Sequence, residues 1–289
     1  MWDVGCGVAY RSRMLPVRIG CVKYLNTLPL IEGLASWRDA ELIAAVPARL
    51  MDMLLSCEVD VALASVIDAA RNRGRVALLP VGMIGSDGPT LTVRVFSRVP
   101  LEQVRAMGAD TDSHTSVALM RIVMKRRYRV DVRILDFDAR EHMVLGRGDA
   151  PIDPPDALLL IGDKVQTDPP LEAEYPHQLD LGEAWKELTG LPFVYAVWMC
   201  RAGEEGSLPV QLAASVLDRA RRHNATRMDW LVAARAGERG WPVDAAANYL
   251  GHKLRYEVGE PEREAVARFV EECAALGLCE PGELNWVDV

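Results

Sequence analysis

The segment ALLLIGD, residues 157–163, is the feature that most constrains the fold of this chain. Its first five residues are all apolar, without the alternation of apolar and polar residues that marks a half-exposed strand. A near-continuous apolar strand must be buried on both faces, which is typical of sheets that helices cover on both sides. The segment therefore predicts an α/β protein.

Short apolar runs alternate with helical patterns along the first part of the chain. The run VRIGCVKYL begins at Val17, helical patterns lie near 29–37 and 47–57, and the run VDVALAS covers 59–65. Strands that alternate with helices in this way are typical of α/β units.

Two later runs predict the connections between two lobes. LTVRVFS at 91–97 follows the turn-rich stretch IGSDGP at 84–89, and its alternating pattern predicts a half-exposed strand. A second β-rich run, FVYAVWMC, covers 193–200, and the pattern beyond residue 207 is almost wholly helical. We predict two α/β lobes joined by these runs, with the C-terminal helices packed on the first lobe.

Domain boundaries follow from this topology. Residues 1–16 are treated as an N-terminal extension, residues 17–97 and 200–289 form a discontinuous first lobe, and residues 98–199 form the second lobe. A chain of 289 residues with 50% hydrophobic content is long enough to give each lobe a core.

Charge and apolar patterns exclude two classes of partner. The net charge is −8 and the largest basic cluster is KRRYR at 125–129, which argues against a nucleic-acid surface. No apolar run approaches the roughly 20 residues of a membrane helix, and the first residues lack the apolar core of a signal peptide. We expect a cytoplasmic protein whose partner is a small molecule. The oligomeric state is left open, with a homodimer as one option.

The cysteine pattern argues against a metal centre. The six cysteines lie far apart, with no CxxC pair and no histidine at ligand spacing. We expect buried, reduced thiols and neither a metal nor another cofactor.

The segment CVKYLNTLPL, residues 21–30, places an asparagine where a strand should end. Pro29 fits poorly into a regular ladder, so the strand that contains Tyr24 should end near Asn26. Strand ends are where α/β proteins hold their ligands. Asparagine is also a common turn residue, so a loop residue that caps the helix near Pro29 is the alternative.

Three other polar stretches fall at predicted strand or helix ends. They are Gly85-Ser86-Asp87-Gly88, Asp112-Ser113-His114-Thr115-Ser116 immediately before a helix, and Gly162-Asp163 after the buried strand. Hydroxyls and free amides at a helix N-terminus can bind an anion. Simple capping is the alternative for the hydroxyl residues and for Asp163.

Five motifs that occur in a fixed order resemble a known enzyme family. They are VKYLN at 22–26, IxSxGP at 84–89, SxTSVAL at 113–119, LLIGD at 159–163 and DLGEAWKELTGLPFVYAVW at 180–198. Together they resemble the menaquinone-biosynthetic chorismate dehydratase family of the futalosine pathway, over residues 17 to 289.

The resemblance implies a fold and an activity. The fold is a two-lobed type II periplasmic-binding-protein-like α/β fold, with two extended hinge strands and a ligand cleft between the lobes. The activity is that of a hydro-lyase, which converts chorismate to 3-[(1-carboxyvinyl)oxy]benzoate and water without a cofactor.

Two alternatives stay open. A sister family that makes 1,4-dihydroxy-6-naphthoate has a similar fold, but its SPCPNDT-like stretch is replaced here by VKYLNTLPL. A non-catalytic binding protein for a small carboxylate would use the same fold and the same anion site.

The resemblance also implies roles for the polar residues. Asn26 and Ser86 are predicted to be catalytic, because they would orient the reacting end of the substrate. Predicted substrate-binding residues are Tyr24, Gly88, Ser113, His114, Thr115, Ser116, Gly162 and Asp163. No histidine, glutamate or lysine has the motif context of a base, so the base is predicted to be the enolpyruvyl carboxylate of the substrate itself. His114 is the main competitor, and its side chain is expected to point to solvent.

Overall fold

The computed structural model describes residues 16–109, 113–138, 143–144 and 155–287. The predicted N-terminal extension lies outside the described residues except for Pro16. The described strands are β1 (Val17–Cys21), β2 (Ala40–Ala44), β3 (Val61–Ser65), β4 (Val76–Ser86), β5 (Val93–Ser97), β6 (Ala106–Ala109), β7 (Arg133–Asp138), β8 (Met143–Val144), β9 (Ala157–Ile161), β10 (His177–Asp180), β11 (Phe193–Arg201) and β12 (Leu254–Arg255). The described α-helices are α1 (Leu28–Ile31), α2 (Pro47–Leu55), α3 (Val66–Arg71), α4 (His114–Val123), α5 (Lys164–Thr167), α6 (Leu181–Thr189), α7 (Leu208–Ala225), α8 (Met228–Arg235), α9 (Val243–Asn248) and α10 (Glu260–Ala275).

The strands form two sheets, one in each lobe. Their order is β12-β4-β11-β3-β1-β2 in the first sheet and β10-β5-β9-β6-β7-β8 in the second. β1 is parallel to β2 and β3, and β6 is parallel to β7 and β9, whereas β11 runs antiparallel to β3 and β4. The predicted two-lobed α/β architecture is confirmed.

The first lobe forms largely where the apolar runs predicted it. All five residues of β3 are buried, and α2 buries Leu50, Met53 and Leu54 on the side that packs against this strand. The C-terminal helices return to this lobe as predicted, with α7 on β1 and β4 and α10 on α3 and β11. No helix among the described residues is long and apolar enough to cross a bilayer.

The second lobe is built around β9. All five of its residues are buried, as the apolar run predicts, and β5 and β6 flank it on either side. The prediction that 91–97 is half-exposed is wrong, because Phe96 is only 2% exposed and packs in a cluster with Leu158 and Tyr175 on the other face of the sheet.

The crossings between the lobes differ from the predicted boundaries. β5 pairs with β9 and β10 in the second sheet, although the predicted boundary after residue 97 places it in the first lobe. β11 pairs with β3 and β4 in the first sheet, although residues 193–199 were assigned to the second lobe. Each strand satisfies its backbone groups within one sheet, so the chain crosses at 87–92 and at 190–192.

The side chain of Asp180 connects the crossing at 87–92 to the start of α6. Its carboxylate, in a residue only 5% exposed, accepts hydrogen bonds from the backbone N–H groups of Gly182 at 3.0 Å and Glu183 at 3.2 Å. It also accepts from the N–H groups of Thr90 at 3.0 Å and Leu91 at 2.8 Å. Leu91 has a φ of 66°, a left-handed conformation that is unfavourable for a residue with a side chain. The hydrogen bond to Asp180 therefore holds Leu91 in a strained conformation.

Gly182 lets α6 approach the crossing closely. A Cβ atom at this position would lie 2.5 Å from the carbonyl oxygen of Gly88 and 2.8 Å from the Oγ of Ser86. Any other residue would force the helix and the crossing apart.

An aromatic cluster joins the two lobes beside these crossings. The ring of Trp185 on α6 meets the rings of Phe193 and Phe269 edge-on, with centroid distances of 5.3 and 6.2 Å. All three side chains are almost fully buried. The lobes therefore share one apolar core on this side.

We predict that Asp180→Ala lowers the free energy of unfolding by about 3 kcal/mol, because it leaves buried N–H donors without an acceptor at a cost of about 1–3 kcal/mol each. Denaturant unfolding measures the effect. Asp52→Ala, at an exposed position of α2, is the matched control and should change stability by less than about 0.5 kcal/mol. Equal stability of the two variants would show that Asp180 does not secure the crossing.

Candidate active site

A cavity of about 70 Å³ lies between the two lobes. The first lobe contributes residues at and just after the ends of β1 and β3, and the second contributes the end of β9 and the start of α4. This is the edge at which α/β sheets bind ligands. Its lining consists of Val22, Tyr24, Asn26, Pro47, Leu63, Ser65, Ile84, Thr92, Val93, Ser113, Ser116, Ile161, Gly162, Tyr195, Ala196, Tyr249 and Leu254.

None of the described side chains that line the cavity carries a charge. The polar groups available there are hydroxyls, one carboxamide and backbone N–H groups. A carboxylate ligand in this cavity would therefore be held by neutral donors and by the helix dipole of α4.

The start of α4 presents two serine hydroxyls to the cavity. Ser113 is the N-cap residue, and its Oγ accepts a hydrogen bond from the N–H of Ser116 at 3.4 Å. The two hydroxyl oxygens are 2.8 Å apart, and both residues line the cavity. Capping and cavity lining, which the sequence presents as alternatives, occur together here.

Thr115 and His114 do not line the cavity but contact the other lobe. Thr115 is buried, and its hydroxyl accepts a 3.4 Å hydrogen bond from the N–H of Ile67 on α3. The Nδ1 atom of His114 lies 2.8 Å from a carboxylate oxygen of Asp68, which is also on α3. The expectation that His114 points to solvent holds only in part, because its side chain is 34% exposed and also contacts Asp68 across the lobe boundary.

Asn26 lies in the cavity wall as part of a short 3₁₀ helix, Leu25–Thr27. β1 ends earlier than expected, at Cys21, and the chain then turns so that Tyr24 and Asn26 both line the cavity. The Oδ1 atom of Asn26 accepts a 3.2 Å hydrogen bond from the Thr27 hydroxyl. Asn26 therefore lies five residues beyond the end of β1, in the cavity wall, and its role toward a ligand stays a prediction.

Tyr249 and Thr92 form a hydroxyl pair that the sequence analysis missed. Their oxygen atoms are 2.7 Å apart, and the Tyr249 ring stacks on Trp241 with a centroid distance of 4.9 Å. Burial raises the pKa of the Tyr249 hydroxyl, against hydrogen bonds with Thr92 and Asn26. Tyr249 thus remains a neutral hydroxyl beside Asn26.

Gly162 and Asp163 serve different purposes at the end of β9. Gly162 lines the cavity with a φ of 73°, a conformation that favours glycine. Asp163 makes no side-chain cap on its own helix α5, but accepts hydrogen bonds from the N–H of Leu25 in the other lobe at 3.2 and 3.4 Å. Burial raises its pKa, against the hydrogen bond from Leu25. The alternative that Asp163 caps α5 is therefore wrong.

Ser86 and Gly88 lie beside the cavity without lining it. Ser86 is fully buried at the end of β4, and its hydroxyl has no hydrogen-bond partner within the described part of the chain. Gly88 has a φ of 116° and packs against α6 at Gly182.

Family comparison agrees with this geometry. Residues 17–275 match the sequence model of a family described as menaquinone biosynthesis. The chain belongs to the menaquinone biosynthesis family. The family that the five motifs resemble is thereby confirmed.

Two relatives of the protein are named chorismate dehydratase. The protein of Thermus thermophilus is 30% identical over 92% of this chain and 97% of its own length. The protein of Campylobacter jejuni is 25% identical over 92% of this chain and 95% of its own length.

Solved structures confirm the fold of the family member. A Candida albicans gene product described as having the generic periplasmic binding protein fold is 12% identical with a TM-score of 0.67, over 93% of this chain and 92% of its own. The periplasmic aliphatic sulphonate binding protein of Escherichia coli is 15% identical with a TM-score of 0.59, over 95% of each chain. At these identities the likeness establishes the fold alone.

We predict that Asp163→Ala speeds hydrogen exchange at the Leu25 amide by about ten- to hundredfold, because a hydrogen bond to a charged group contributes about 1.5–3 kcal/mol. Mass-spectrometric or NMR exchange measures this. Glu172→Ala, an exposed carboxylate in the same lobe, is the control and should leave the rate unchanged. If both variants exchange like the parent protein, the contact does not hold the lobes together.

Proposed function

We propose that the protein is a chorismate dehydratase, which converts chorismate to 3-[(1-carboxyvinyl)oxy]benzoate and water in menaquinone biosynthesis by the futalosine pathway. One observation supports it most: Asn26 and the start of α4 face each other across an uncharged cavity, in a chain whose named relatives are chorismate dehydratases.

The reaction depends on hydrogen-bond donors around the substrate more than on a general acid. Chorismate carries two carboxylates, a ring diene and a 4-hydroxyl, and loss of water across C3 and C4 makes the ring aromatic. The difficult step is removal of the C3 proton. The negative charge that develops delocalises through the ring into the ring carboxylate, so donors around that carboxylate stabilise the transition state.

Ser113 and Ser116 are the residues we assign to the ring carboxylate. Both line the cavity at the first turn of α4, where free N–H groups and the helix dipole favour an anion. His114 and Thr115 contact α3 instead, so we assign them to closing the cleft.

Asn26 is the residue we assign to the reacting end of the substrate. Its carboxamide donates and accepts hydrogen bonds without titrating. It belongs to the first lobe, whereas the two serines belong to the second, so a substrate that contacts both would draw the lobes together. The cavity has room for only a few water molecules, which requires the cleft to open before chorismate enters.

The base in this proposal is the substrate. The described cavity lining contains no carboxylate, imidazole or amine side chain. The enolpyruvyl carboxylate of chorismate is tethered to C3 through an ether oxygen, and folding it back would place an oxygen near the C3 hydrogen. Proximity would then replace basicity.

Incubation of the purified protein with chorismate tests the function directly. We expect an aromatic product with the mass of chorismate less water. Binding without conversion would favour a carboxylate-binding protein, and conversion of a cyclic futalosine derivative would favour the naphthoate-forming sister reaction.

We predict that Asn26→Ala folds normally and loses most turnover, and that Asn26→Asp is as inactive because a carboxylate would repel a dianionic substrate at close range. His114→Gln is the matched comparison and should keep substantial activity, since His114 lies outside the cavity lining. Steady-state kinetics with thermal melting separates activity from folding.

Two results would contradict these assignments. Near-normal turnover in Asn26→Ala would return Asn26 to a loop-capping role. A folded His114→Gln variant with a loss of about a thousandfold, the range expected for a lost general base, would replace the substrate carboxylate with His114.

A further inference from the structure

Tyr195 is the extra residue of a β-bulge that opens onto the cavity. On β11, Val194 pairs with Gly85 and Ala196 pairs with Ile84, so Tyr195 has no partner in the ladder with β4. Bulges turn a side chain out of its regular direction and are frequent beside active sites. Tyr195 lines the cavity, although it is not among the site residues predicted from the sequence.

The hydroxyl of Tyr195 is buried and has no hydrogen-bond partner within the described residues. The hydroxyls of Ser86 and Thr90 lie near it and oppose the rise in its pKa, but neither is placed to form a hydrogen bond of normal geometry with it. An unpaired buried hydroxyl costs about 1–3 kcal/mol. Such a hydroxyl on a residue that lines the cavity points to a ligand that completes its hydrogen bond.

The surroundings of Tyr195 favour a neutral ligand group. Burial, and then the negative charge of Asp180, raise the pKa of Tyr195 well above its ordinary value of 10. Tyr195 therefore stays protonated and donates. The same charge of Asp180 repels a carboxylate, whereas the start of α4 with Ser113 and Ser116 attracts one.

We propose that Tyr195 is a further catalytic residue, whose hydroxyl donates a hydrogen bond to the 4-hydroxyl oxygen of the substrate as that group leaves. This inference rests on the proposed function. The ring carboxylate and the 4-hydroxyl lie at opposite ends of the chorismate ring. With the ring carboxylate of chorismate bound at the start of α4, its neutral 4-hydroxyl would lie at the other end of the ring, near Tyr195.

The step conserves the proton of Tyr195. The C3–H bond breaks, and its electron pair becomes the new C3–C4 π bond. The C4–O bond breaks with its electron pair on oxygen, and this oxygen takes up the proton from C3, carried by the enolpyruvyl carboxylate, to leave as water. Tyr195 stabilises the negative charge on the departing oxygen and keeps its own hydrogen throughout.

Tyr195→Phe tests the proposal, with Tyr256→Phe as its matched control. Tyr256 also has a buried hydroxyl without a partner among the described residues, but it does not line the cavity. Two quantities are measured in each variant: kcat with chorismate, and the Kd of 3-[(1-carboxyvinyl)oxy]benzoate. That product keeps both carboxylates and lacks the 4-hydroxyl.

We expect Tyr195→Phe to lower kcat by about a hundredfold, the scale of one lost transition-state donor, while the Kd of the product is unchanged. Tyr256→Phe should alter neither quantity. Unaltered product binding also shows that the variant is folded.

Three results would overturn the proposal. Unchanged kcat in Tyr195→Phe would show that the hydroxyl takes no part. A product Kd that rises along with the loss of kcat would place a carboxylate at Tyr195. Absence of chorismate turnover by the parent protein would overturn the proposed function and this role together, which separates that outcome from the other two.

Discussion

The carboxylate of Asp180 is the contact on which the site depends. It gathers N–H groups from both Thr90 and Leu91 on the crossing and from the first turn of α6. Thr90 and Asp180 are 90 positions apart in the chain, so the contact fixes the crossing at 87–92 against the second lobe. The left-handed Leu91 would not hold its conformation without such a partner. Burial, and then the same charge, raise the pKa of Tyr195, which lines the cavity.

The cavity is therefore polarised without containing a charged side chain among its described residues. One end has the start of α4 and its two serines, which favour an anion. Tyr195 sits near the buried Asp180, which disfavours one. Such an arrangement orients a molecule that has a carboxylate at one end and a hydroxyl at the other. Closure across the lobes by Asp163 and His114 would then exclude water from the reacting atoms.

Local patterns predicted what depends on local sequence. The run at 157–163 predicted a strand buried on both faces, and the turn chemistry around Asn26 predicted that this residue follows the first strand, where it lines the cavity. Thr115 and Ser116 were indistinguishable by residue type, yet only Ser116 lines the cavity. Successive helical residues point about 100° apart, so their roles depend on how α4 is rotated against α3.

Long-range pairing decided the rest. The assignment of β5 and β11 to lobes required knowledge of their sheet partners, which alternation alone does not give. Tyr195 is hidden inside an ordinary β-rich run, and only the register with β4 reveals its bulge. In the sequence Asp180 directly precedes a helix and resembles a simple N-cap residue. Its hydrogen bonds to the crossing, about 90 residues away in the chain, leave no sign in the neighbouring sequence.

A crystal structure with 3-[(1-carboxyvinyl)oxy]benzoate bound measures the orientation of the ligand most directly. We expect the ring carboxylate within about 3 Å of the donors at Ser113 and Ser116, with the ring carbon that has lost its hydroxyl facing Tyr195. A ring carboxylate at Tyr195 would contradict the polarised site. So would a ligand seated instead in the surface groove lined by Trp37 and Arg219.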